Sequence, residues 1–585
     1  MLRTRILSLA LLLCTLVPIA CGSDPKKMDP PPAGWGFRET YPAATVLENG
    51  TPADQRKILY HLPEGSEIFP TSWFEALIDD RSGLPFKENL ERFGFVPDPD
   101  SKWPVGMTEA QGELGIRMIG VNCAACHVGQ IHYKGKALRI DGAPNLLAIE
   151  GFYESLVASS LATVENPDRL FAFAKKVLLK TTGPDPRDPR LLAALEALPD
   201  LRAARAAAAR GDTEARRLVG SVTAAVALAR QPATGTAGKR TPVADSMSDL
   251  SAQVKTLIAR LQGIANLARE RPKGTPSGFG RTDAFGIARN ILFPDEPRPP
   301  TAPINYPHLW GFGRAEWLHW NANTNSVVER NLGQALGLGA VIDRTTLATT
   351  VKLDNLHTME QLFQGLRAPA WPAEVLGAID PVKQARGQVL YRTACASCHE
   401  GPYMQSPDGH DLYPQYALED LGTDPNHAKN FDQPVLGRPY AEALQELLQT
   451  IKQRAAAGFP AADVASWEAG RTPSRWRSPL GGDKKPYPAR PLAGVWATAP
   501  YLHNGSVPTL ADLLSPPAMR PARFGLGYRE YDPDKVGYRT DTTTANPLVH
   551  EYDTTLAGNS SGGHVYGTDL SPEDRAALIE YLKSL

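Results

Sequence analysis

The sequence has few cysteines, and their positions exclude most of the roles that cysteine has in exported proteins. Only six occur among 585 residues. Cys14 and Cys21 lie near the N-terminus, and the other four form two Cys-x-x-Cys-His motifs, at Cys123–His127 and Cys395–His399. Since no cysteine is left for a disulfide, the mature chain must gain its stability from packing and from whatever the two motifs bind.

The sequence also lacks an excess of charge of one sign and, beyond its N-terminus, long apolar runs. The formal net charge is −1 and the pI is near 6.9, which gives no support for a nucleic-acid partner. After residue 21 the apolar runs are shorter than the ~18 residues of a membrane span, so we expect the mature chain to have none. Proline is abundant, at 52 residues, and predicts long irregular connections.

The N-terminus predicts export. Arg3 and Arg5 precede the apolar run 6–17, and Cys21 follows an alanine, as in a bacterial lipoprotein signal, although Pro18 departs from that pattern. We expect a lipid on Cys21, which would be the only membrane attachment of a periplasmic, outer-membrane or cell-surface lipoprotein. An ordinary signal peptide and a secreted protein are the alternative.

The two Cys-x-x-Cys-His motifs predict covalent attachment of two c-type haems. The two thiols of each motif add to the two vinyl groups of a haem, and the adjacent histidine then places its imidazole beneath the iron. A zinc site is the competing interpretation, but the two motifs lie far apart and each ends in Cys-His. The predicted haem-binding residues are Cys123, Cys126 and His127 in the first motif and Cys395, Cys398 and His399 in the second.

The surroundings of the second motif predict a small helical cytochrome. Residues 380–394 form a helical pattern that begins with Asp380, and Gly387 within it allows close contact with another helix. A second helix is expected after Ser571, with its apolar residues on one face. Small c-type cytochromes have the same order of helix, motif, long loop and terminal helix.

These patterns predict a mainly α-helical fold with two cytochrome c-like haem domains, long irregular loops and a helical insertion. Residues 109–120 are expected to lead into the first motif in the same way as 380–394 lead into the second. The predicted divisions are a signal peptide with a lipoprotein-like end at 1–21, a first haem domain at 36–175, the insertion at 176–275, an inter-haem segment covering the distal pocket at 276–375, and a second haem domain at 376–585.

The two irons are expected to differ in their sixth ligand. Between residues 128 and 246 there is no methionine, and His132 is too close to His127 in the chain to reach the opposite face of the same haem. The second region has several histidines and methionines, among them His503 and His564. An iron with an open sixth position binds dioxygen or peroxide, whereas an iron with two axial side chains transfers electrons. We therefore expect a redox enzyme. The alternatives are an electron-transfer cytochrome without a substrate and a protein that oxidises the residues of a bound partner protein.

Further segments give the sequence a resemblance to the di-haem cytochrome c peroxidase superfamily, and within it to the rubber-oxygenase-like branch. Besides the two haem motifs, these segments are Gly280–Gly286, His319–Trp320 with Asn323–Ser326, Ala499–Gly505 and Gly563–Gly567. The resemblance covers about three quarters of the chain and leaves the insertion outside. This chain has Asn321-Ala322 where the pattern has Asp-Gly.

The resemblance implies a role for individual residues. His127 would be the proximal ligand of the active haem, and His399 and His564 would hold the second iron from opposite sides. Phe285 would line the oxygen pocket. The implied reaction is oxidative cleavage of an apolar substrate such as polyisoprene by dioxygen, or peroxide reduction as in the peroxidase branch. Implied partners are an electron-donor protein and the substrate itself, which is an apolar polymer or a small molecule. Calcium between the domains is a further expectation.

Three other residues are candidates from their chemistry. Trp320, beside His319, is the tryptophan most suited to relay electrons between the haems. Arg281 and Arg289 are candidates for pairing with haem propionates, for which a planar guanidinium is well suited, with solvent or a nearby acid as the alternative partner.

Overall fold

The computed structural model describes residues 44–166, 272–540 and 549–585, together with residues 169, 173 and 176. Within these ranges, residues 68, 113–115, 469–470, 472 and 482–484 are not described. The predicted signal peptide with Cys21 therefore lies outside the described residues, as does nearly all of the predicted insertion.

Two three-stranded sheets enclose the first motif. The first sheet has the order β2-β4-β3 with antiparallel pairing; in the second, β5 and β6 form a hairpin and β1 pairs with β6 in parallel. The motif joins the sheets, because β4 ends just before it and β5 begins directly after it. The strands are β1 (Thr45–Val46), β2 (Phe69–Pro70), β3 (Met107–Gln111), β4 (Arg117–Val121), β5 (Val128–Tyr133) and β6 (Lys136–Asp141).

The prediction of a mainly α-helical protein is wrong. Residues 109–120, expected to form a helix, contain the end of β3 and most of β4. Four of the five β4 residues are buried, and Ile119 pairs with both Phe69 and Glu109 across the sheet. Buried β-branched residues fit a pleated surface better than a helix, and the distant partner strand decides their conformation. The fold therefore combines helices, small sheets and long irregular segments.

Helices are distributed along the whole described chain. They are α1 (Ala53–His61), α2 (Thr71–Ala76), α3 (Ala124–His127), α4 (Ile149–Glu165), α5 (Ala284–Leu292), α6 (Val327–Gly337), α7 (Leu353–Gln364), α8 (Ala373–Leu376), α9 (Pro381–Ala394), α10 (Ala396–His399), α11 (Leu418–Leu421), α12 (Asn426–Phe431), α13 (Tyr440–Ala456), α14 (Ala461–Trp467), α15 (Leu510–Leu513) and α16 (Pro572–Leu582). Among the described residues, none of these helices is long and apolar enough to cross a membrane.

Short two-stranded pairings stabilise the irregular segments of the second half. The remaining strands are β7 (Arg281–Thr282), β8 (Ile304–Asn305), β9 (Met404–Gln405), β10 (Asp411–Leu412), β11 (Gln415–Tyr416), β12 (Tyr487–Pro488), β13 (Arg523–Leu526), β14 (Tyr531–Asp532), β15 (Gly537–Tyr538) and β16 (His550–Asp553). Antiparallel pairs form between β7 and β8, β9 and β10, β11 and β12, β13 and β16, and β14 and β15.

The predicted helix pair around the second motif is confirmed. Asp380 caps α9 by accepting hydrogen bonds from the backbone of Val382 and Lys383, and Ser571 caps α16 through the backbone of Asp574. Not every apolar residue of α9 is buried, since Val382 is 78% exposed. The buried residues of α9 are instead Gly387 and Tyr391.

Gly387 is expected to be indispensable for the contact between α9 and α16. A Cβ at this position would lie 2.0 Å from the backbone oxygen of Ala577. We expect Gly387→Ala to push the helices apart and to lower the free energy of unfolding by about 1–3 kcal/mol, the usual cost of overpacking. Chemical denaturation measures this change. Gly337→Ala is the matched control, because a Cβ there meets no atom within 4 Å; equal stability of both variants would contradict the prediction.

The two haem regions share one apolar core. Buried side chains from the first region, such as Leu59 and Val128, pack in the same cluster as Trp496, Leu526 and Leu578 from the last hundred residues. The described residues therefore do not show two separate cytochrome c-like haem domains, and the predicted domain divisions stay a prediction. The shared core fixes the first motif relative to the chain that surrounds the second.

Candidate functional site

The first motif is buried within the fold. Cys123, Cys126 and His127 are 9%, 6% and 4% exposed, respectively. The backbone N–H and the thiol of Cys123 both donate to the carboxyl group of Glu64, at 3.2 Å. Burial raises the pKa of Glu64 to about 8. Asn145 donates to the carbonyl of Ala125 at 2.8 Å, which fixes the motif from its other side.

A backbone carbonyl orients the imidazole of His127. Its Nδ1 lies 2.9 Å from the carbonyl oxygen of Pro307, and since that oxygen only accepts, Nδ1 carries the proton. The lone pair is then on Nε2, as an iron ligand requires. Burial, followed by the charge of Arg330, lowers the pKa of His127 to about 3, so the ring is neutral. Tyr306 and Phe363 contact the ring edge-on.

Helix α6 lies against the first motif. The amide nitrogen of Gln334 is 3.8 Å from the sulfur of Cys123. One turn earlier, the charge of Arg330 adds to burial in lowering the pKa of His127 and of His319. Helix α6 belongs to the segment that was expected to cover the distal side of the first haem; that role remains a prediction.

The second motif lies beside a cavity of about 730 Å³. His399 lines this cavity, and its Nδ1 donates to the carbonyl oxygen of Arg490 at 2.7 Å, which leaves Nε2 free for a metal. Aromatic residues such as Trp310 and Tyr413 line the same cavity. Cavities of this size accommodate a cofactor. Cys395 and Cys398 are only partly buried, in contrast to the cysteines of the first motif.

His564 faces His399. Their ring centres are 6.3 Å apart. A metal held between two imidazole nitrogens at about 2.0 Å each separates the ring centres by roughly 6 Å, so the pair fits an iron with two histidine ligands. Burial, followed by the influence of His399, lowers the pKa of His564 to about 4, and the neutral ring is the form that binds a metal.

Arg520 holds the loop that presents His564. Its guanidinium donates to the carbonyl oxygens of Ser561, Gly563 and His564 at 2.6–3.1 Å. Gly563 has a φ of 74°, and a Cβ there would lie 2.3 Å from the backbone of Gly422. Only glycine fits so close an approach, which explains the glycines before His564.

The rival ligand His503 is engaged elsewhere. Its ring stacks on Tyr487, with centres 4.6 Å apart, and Nε2 lies 3.3 Å from the Tyr487 hydroxyl. The backbone carbonyl of His503 accepts from the N–H of Asn305 at 2.8 Å. These contacts stabilise the loop 499–505. The choice of His564 as a ligand remains a prediction that this arrangement supports.

Phe285 packs among imidazoles as well as apolar residues. Its ring centre is 4.9 Å from His319, 5.5 Å from His427 and 4.6 Å from Phe431. The surroundings of the Phe285 ring are therefore polar in part. These contacts do not test whether Phe285 lines an oxygen pocket, and that role stays a prediction.

Arg490 connects Trp320 to the second motif. The guanidinium of Arg490 lies 4.7 Å from the Trp320 ring and donates to the carbonyl of His319 at 2.7 Å. The Arg490 carbonyl accepts from His399. Trp320 itself donates to the carbonyl of Asn305 at 2.8 Å. This position is compatible with the predicted electron relay, which remains a prediction.

The two arginines expected to pair with propionates bind protein groups instead. Arg281 donates to Asn559 and to backbone carbonyls, and it stacks on Tyr552. Arg289 donates to the carbonyls of residues 433 and 434. Arg330 and Arg490, which sequence reasoning missed, are two of the four arginines that line the cavity with His399; the others are Arg314 and Arg367. A local motif marks neither Arg330 nor Arg490.

Calcium has no evident site in the described part of the chain. Groups of three or more histidine, cysteine, aspartate or glutamate side chains suited to a metal ion are absent from these residues. The predicted calcium remains untested, because carbonyl and amide oxygens also bind this ion.

Comparison with known proteins shows which family this chain resembles. Residues 486–525, which contain the Ala499–Gly505 segment, match the family described as RoxA-like, cytochrome c-like. The uncharacterized protein y4iJ of Sinorhizobium fredii (strain NBRC 101917 / NGR234) is 31% identical to this chain over 92% of the chain and 93% of the relative. A second uncharacterized protein of that organism, y4iM, is 29% identical over 56% of this chain and 71% of the relative.

Motifs that end in oriented histidines, together with the family match, define a c-type cytochrome that binds haem c covalently. The chain belongs to the same family as y4iJ, since the similarity extends over nearly the full length of both proteins. The residues present fit the cofactor: bound haem would be attached through the motif cysteines and would supply an iron that accepts and donates electrons.

Proposed function

We propose that this protein is an exported di-haem oxidoreductase that activates peroxide or dioxygen at the haem of His127 and stores or supplies electrons at the haem of His399. The observation that carries the proposal is the unequal surroundings of the two histidines. His399 is faced by His564 at ligand distance, whereas the aromatic rings that contact His127 in the described part of the chain are those of Tyr306 and Phe363. An iron with one protein ligand can bind a small molecule.

Peroxide is the better supported substrate. His319 and Arg330, whose side chains can move protons or bear charge, line one cavity, and Arg330 lies one helical turn before Gln334, which contacts Cys123 of the first motif. Reduction of peroxide requires protons, which an apolar pocket does not supply. Oxidative cleavage of an apolar substrate such as polyisoprene is the second candidate, supported by the RoxA-like match and by the apolar cluster that includes Phe285, Phe431 and Tyr440.

Spectroscopy and turnover of the purified, haem-loaded protein test the proposal. We expect electron paramagnetic resonance to show one high-spin and one low-spin iron, and cyanide to titrate only the high-spin iron. Hydrogen peroxide with a reduced cytochrome as donor should be consumed. Product formation from polyisoprene and dioxygen would favour the second candidate. Two low-spin irons that bind no cyanide would leave an electron-transfer cytochrome as the function.

Phe285→Ala is expected to lower turnover while both haems stay attached. The ring separates His319 from His427 and Phe431, and its loss would admit water and loosen His319. Displacements of about 1 Å at a reacting group cost up to ~100-fold in rate, so we expect a 10- to 100-fold loss. Haem content and steady-state rate are the measurements, with Phe293→Ala, in the same apolar cluster, as control. Equal rates in both variants would contradict a role at the site.

We further propose that a lipid on Cys21 anchors the protein outside the cytoplasm. The supporting observation is the N-terminal sequence, in which an apolar run ends in Ala20-Cys21. Cys21→Ala is expected to move the protein from the membrane fraction to the soluble fraction after export. Cys14→Ala is the control, because that residue lies inside the apolar run. Membrane association that survives Cys21→Ala would argue against the anchor.

A further inference from the structure

His319 has an imidazole that is fixed in one tautomer. Its Nδ1 lies 2.7 Å from the side-chain oxygen of Asn323, so Nδ1 carries the proton and Nε2 presents a lone pair. The backbone of His319 is left-handed, with φ 63°, and its carbonyl accepts a hydrogen bond from Arg490 at 2.7 Å. A histidine held in a strained conformation by two partners has a defined direction, which a surface histidine does not need.

Arg330 relates His319 to the first motif. Arg330 and His319 line the same cavity, and the charge of Arg330 reaches both His319 and His127. Gln334, one helical turn after Arg330, touches the sulfur of Cys123. Arg330 and Gln334 are four positions apart and therefore lie on one face of α6. This face of the helix is close to the haem-attachment residue Cys123 and lines the same cavity as His319.

The surroundings of His319 keep its ring neutral and include buried side-chain amides that have no hydrogen-bond partner among the described residues. Burial, followed by the charge of Arg330, lowers the pKa of His319 to about 3, so the resting ring is neutral. Asn321 and Asn323 are fully buried, and the Asn321 amide and the Asn323 amide nitrogen have no hydrogen-bond partner among the described residues. Buried polar groups of this kind suit a small polar ligand. Phe285 packs edge-on against His319 at 4.9 Å.

We propose that His319 is the catalytic residue that transfers a proton within hydrogen peroxide at the first haem, with Asn323 as its positioning residue and Arg330 as the positive charge that stabilises the departing oxygen. This inference rests on the proposed function and deepens it by assigning the acid–base group. Neutral histidine in hydrogen-bond reach of a substrate is the commonest general base in enzymes. A guanidinium stabilises developing negative charge on oxygen.

The chemistry balances as a two-electron reduction. His319 Nε2 takes a proton from one peroxide oxygen and returns it to the other, so that the O–O bond breaks and the protonated oxygen leaves as water. The remaining oxygen becomes the second water after two electrons and two further protons are added. Hydrogen peroxide is thus the oxidant and an external electron-donor protein is the reductant; haem, when bound, would supply the iron through which the electrons pass.

Rapid mixing of the ferric, haem-loaded protein with hydrogen peroxide tests the assignment. General acid–base catalysis contributes roughly 10²- to 10⁴-fold, and we expect His319→Leu and His319→Gln to lose that factor in the rate of the optical change. Asn323→Leu removes only the orientation of the ring and should lose about 10- to 100-fold. His427→Gln, which replaces a buried imidazole on the other side of Phe285, is the matched control and should keep the wild-type rate.

Cyanide binding gives a second readout that does not depend on turnover. Hydrogen cyanide must lose its proton to bind iron as an anion, so association should slow in His319→Leu and should be normal in His427→Gln. A wild-type rate for both reagents in His319→Leu would overturn the assignment and leave the proposed function intact. A change of spin state in His319→Leu would show His319 to be an iron ligand and would also overturn it. If wild-type protein reacts with neither reagent, the proposed function fails and the assignment fails with it.

Discussion

His564→Ala is expected to convert the second haem from a low-spin to a high-spin state. The two rings of His399 and His564 are 6.3 Å apart, the separation of two axial ligands on one iron. Removing one ring leaves the iron with a single strong protein ligand and an opened sixth position. Electron paramagnetic resonance and the optical spectrum of the purified protein record the change, which should involve essentially all of the second haem.

The low-spin state lost in His564→Ala should be restored by an added small molecule. Added imidazole should enter the space that the His564 side chain vacates and should restore the low-spin signal, because the loop carrying residue 564 stays held by Arg520 through backbone carbonyls. Tyr566→Ala is the matched control: its ring contacts His564 at 5.4 Å and it leaves both histidines in place. A low-spin spectrum that persists in His564→Ala would make His503 the leading ligand.

The local parts of the fold were predictable from the sequence. The start of α9 follows from Asp380 and the proline after it, and the start of α16 follows from Ser571, since capping depends on neighbouring residues alone. Gly387 was predictable as a contact because a helical glycine next to an apolar face allows close packing. The sheets around the first motif were not predictable, because the conformation of β4 depends on β2, which is almost fifty residues earlier in the chain.

In the candidate site, too, the parts that are local in sequence were predictable and the parts contributed by distant residues were not. The two haem motifs are contiguous in sequence, so their chemistry can be read directly. The groups that orient their histidines are distant: the carbonyl that accepts from His127 is 180 residues away, and the one that accepts from His399 is 91 residues away. Since any residue can offer a carbonyl, the sequence pattern at Pro307 or Arg490 cannot indicate this role. The pair of His319 and Asn323 is local, but its significance depends on Arg330 and on burial.

Removing the two cysteines of the first motif is expected to damage the fold as well as the cofactor. Cys123 packs in the core that joins both haem regions, and Cys126 packs in the apolar cluster of the N-terminal region. Without covalent attachment, a haem-sized void would be left in a close-packed interior. Such voids cost ~24 cal/mol per Å³, so the region should collapse or unfold and not persist as an empty pocket. We expect Cys123→Ala with Cys126→Ala to lose one haem and most of the exported, folded protein.

The corresponding double variant at the second motif, Cys395→Ala with Cys398→Ala, is the matched comparison. These cysteines are only partly buried, Cys395 packs at the edge of the same core, and the residues that line the cavity beside His399 all come after the N-terminal sheets in the chain. We expect this variant also to lose one haem but to keep more of the fold, because solvent can fill the space. Intact mass counts the attached haems, and thermal unfolding with export yield measures the damage. Equal stability of the two variants would contradict the view that the first haem is part of the core, and two haems remaining on either variant would contradict attachment at that motif.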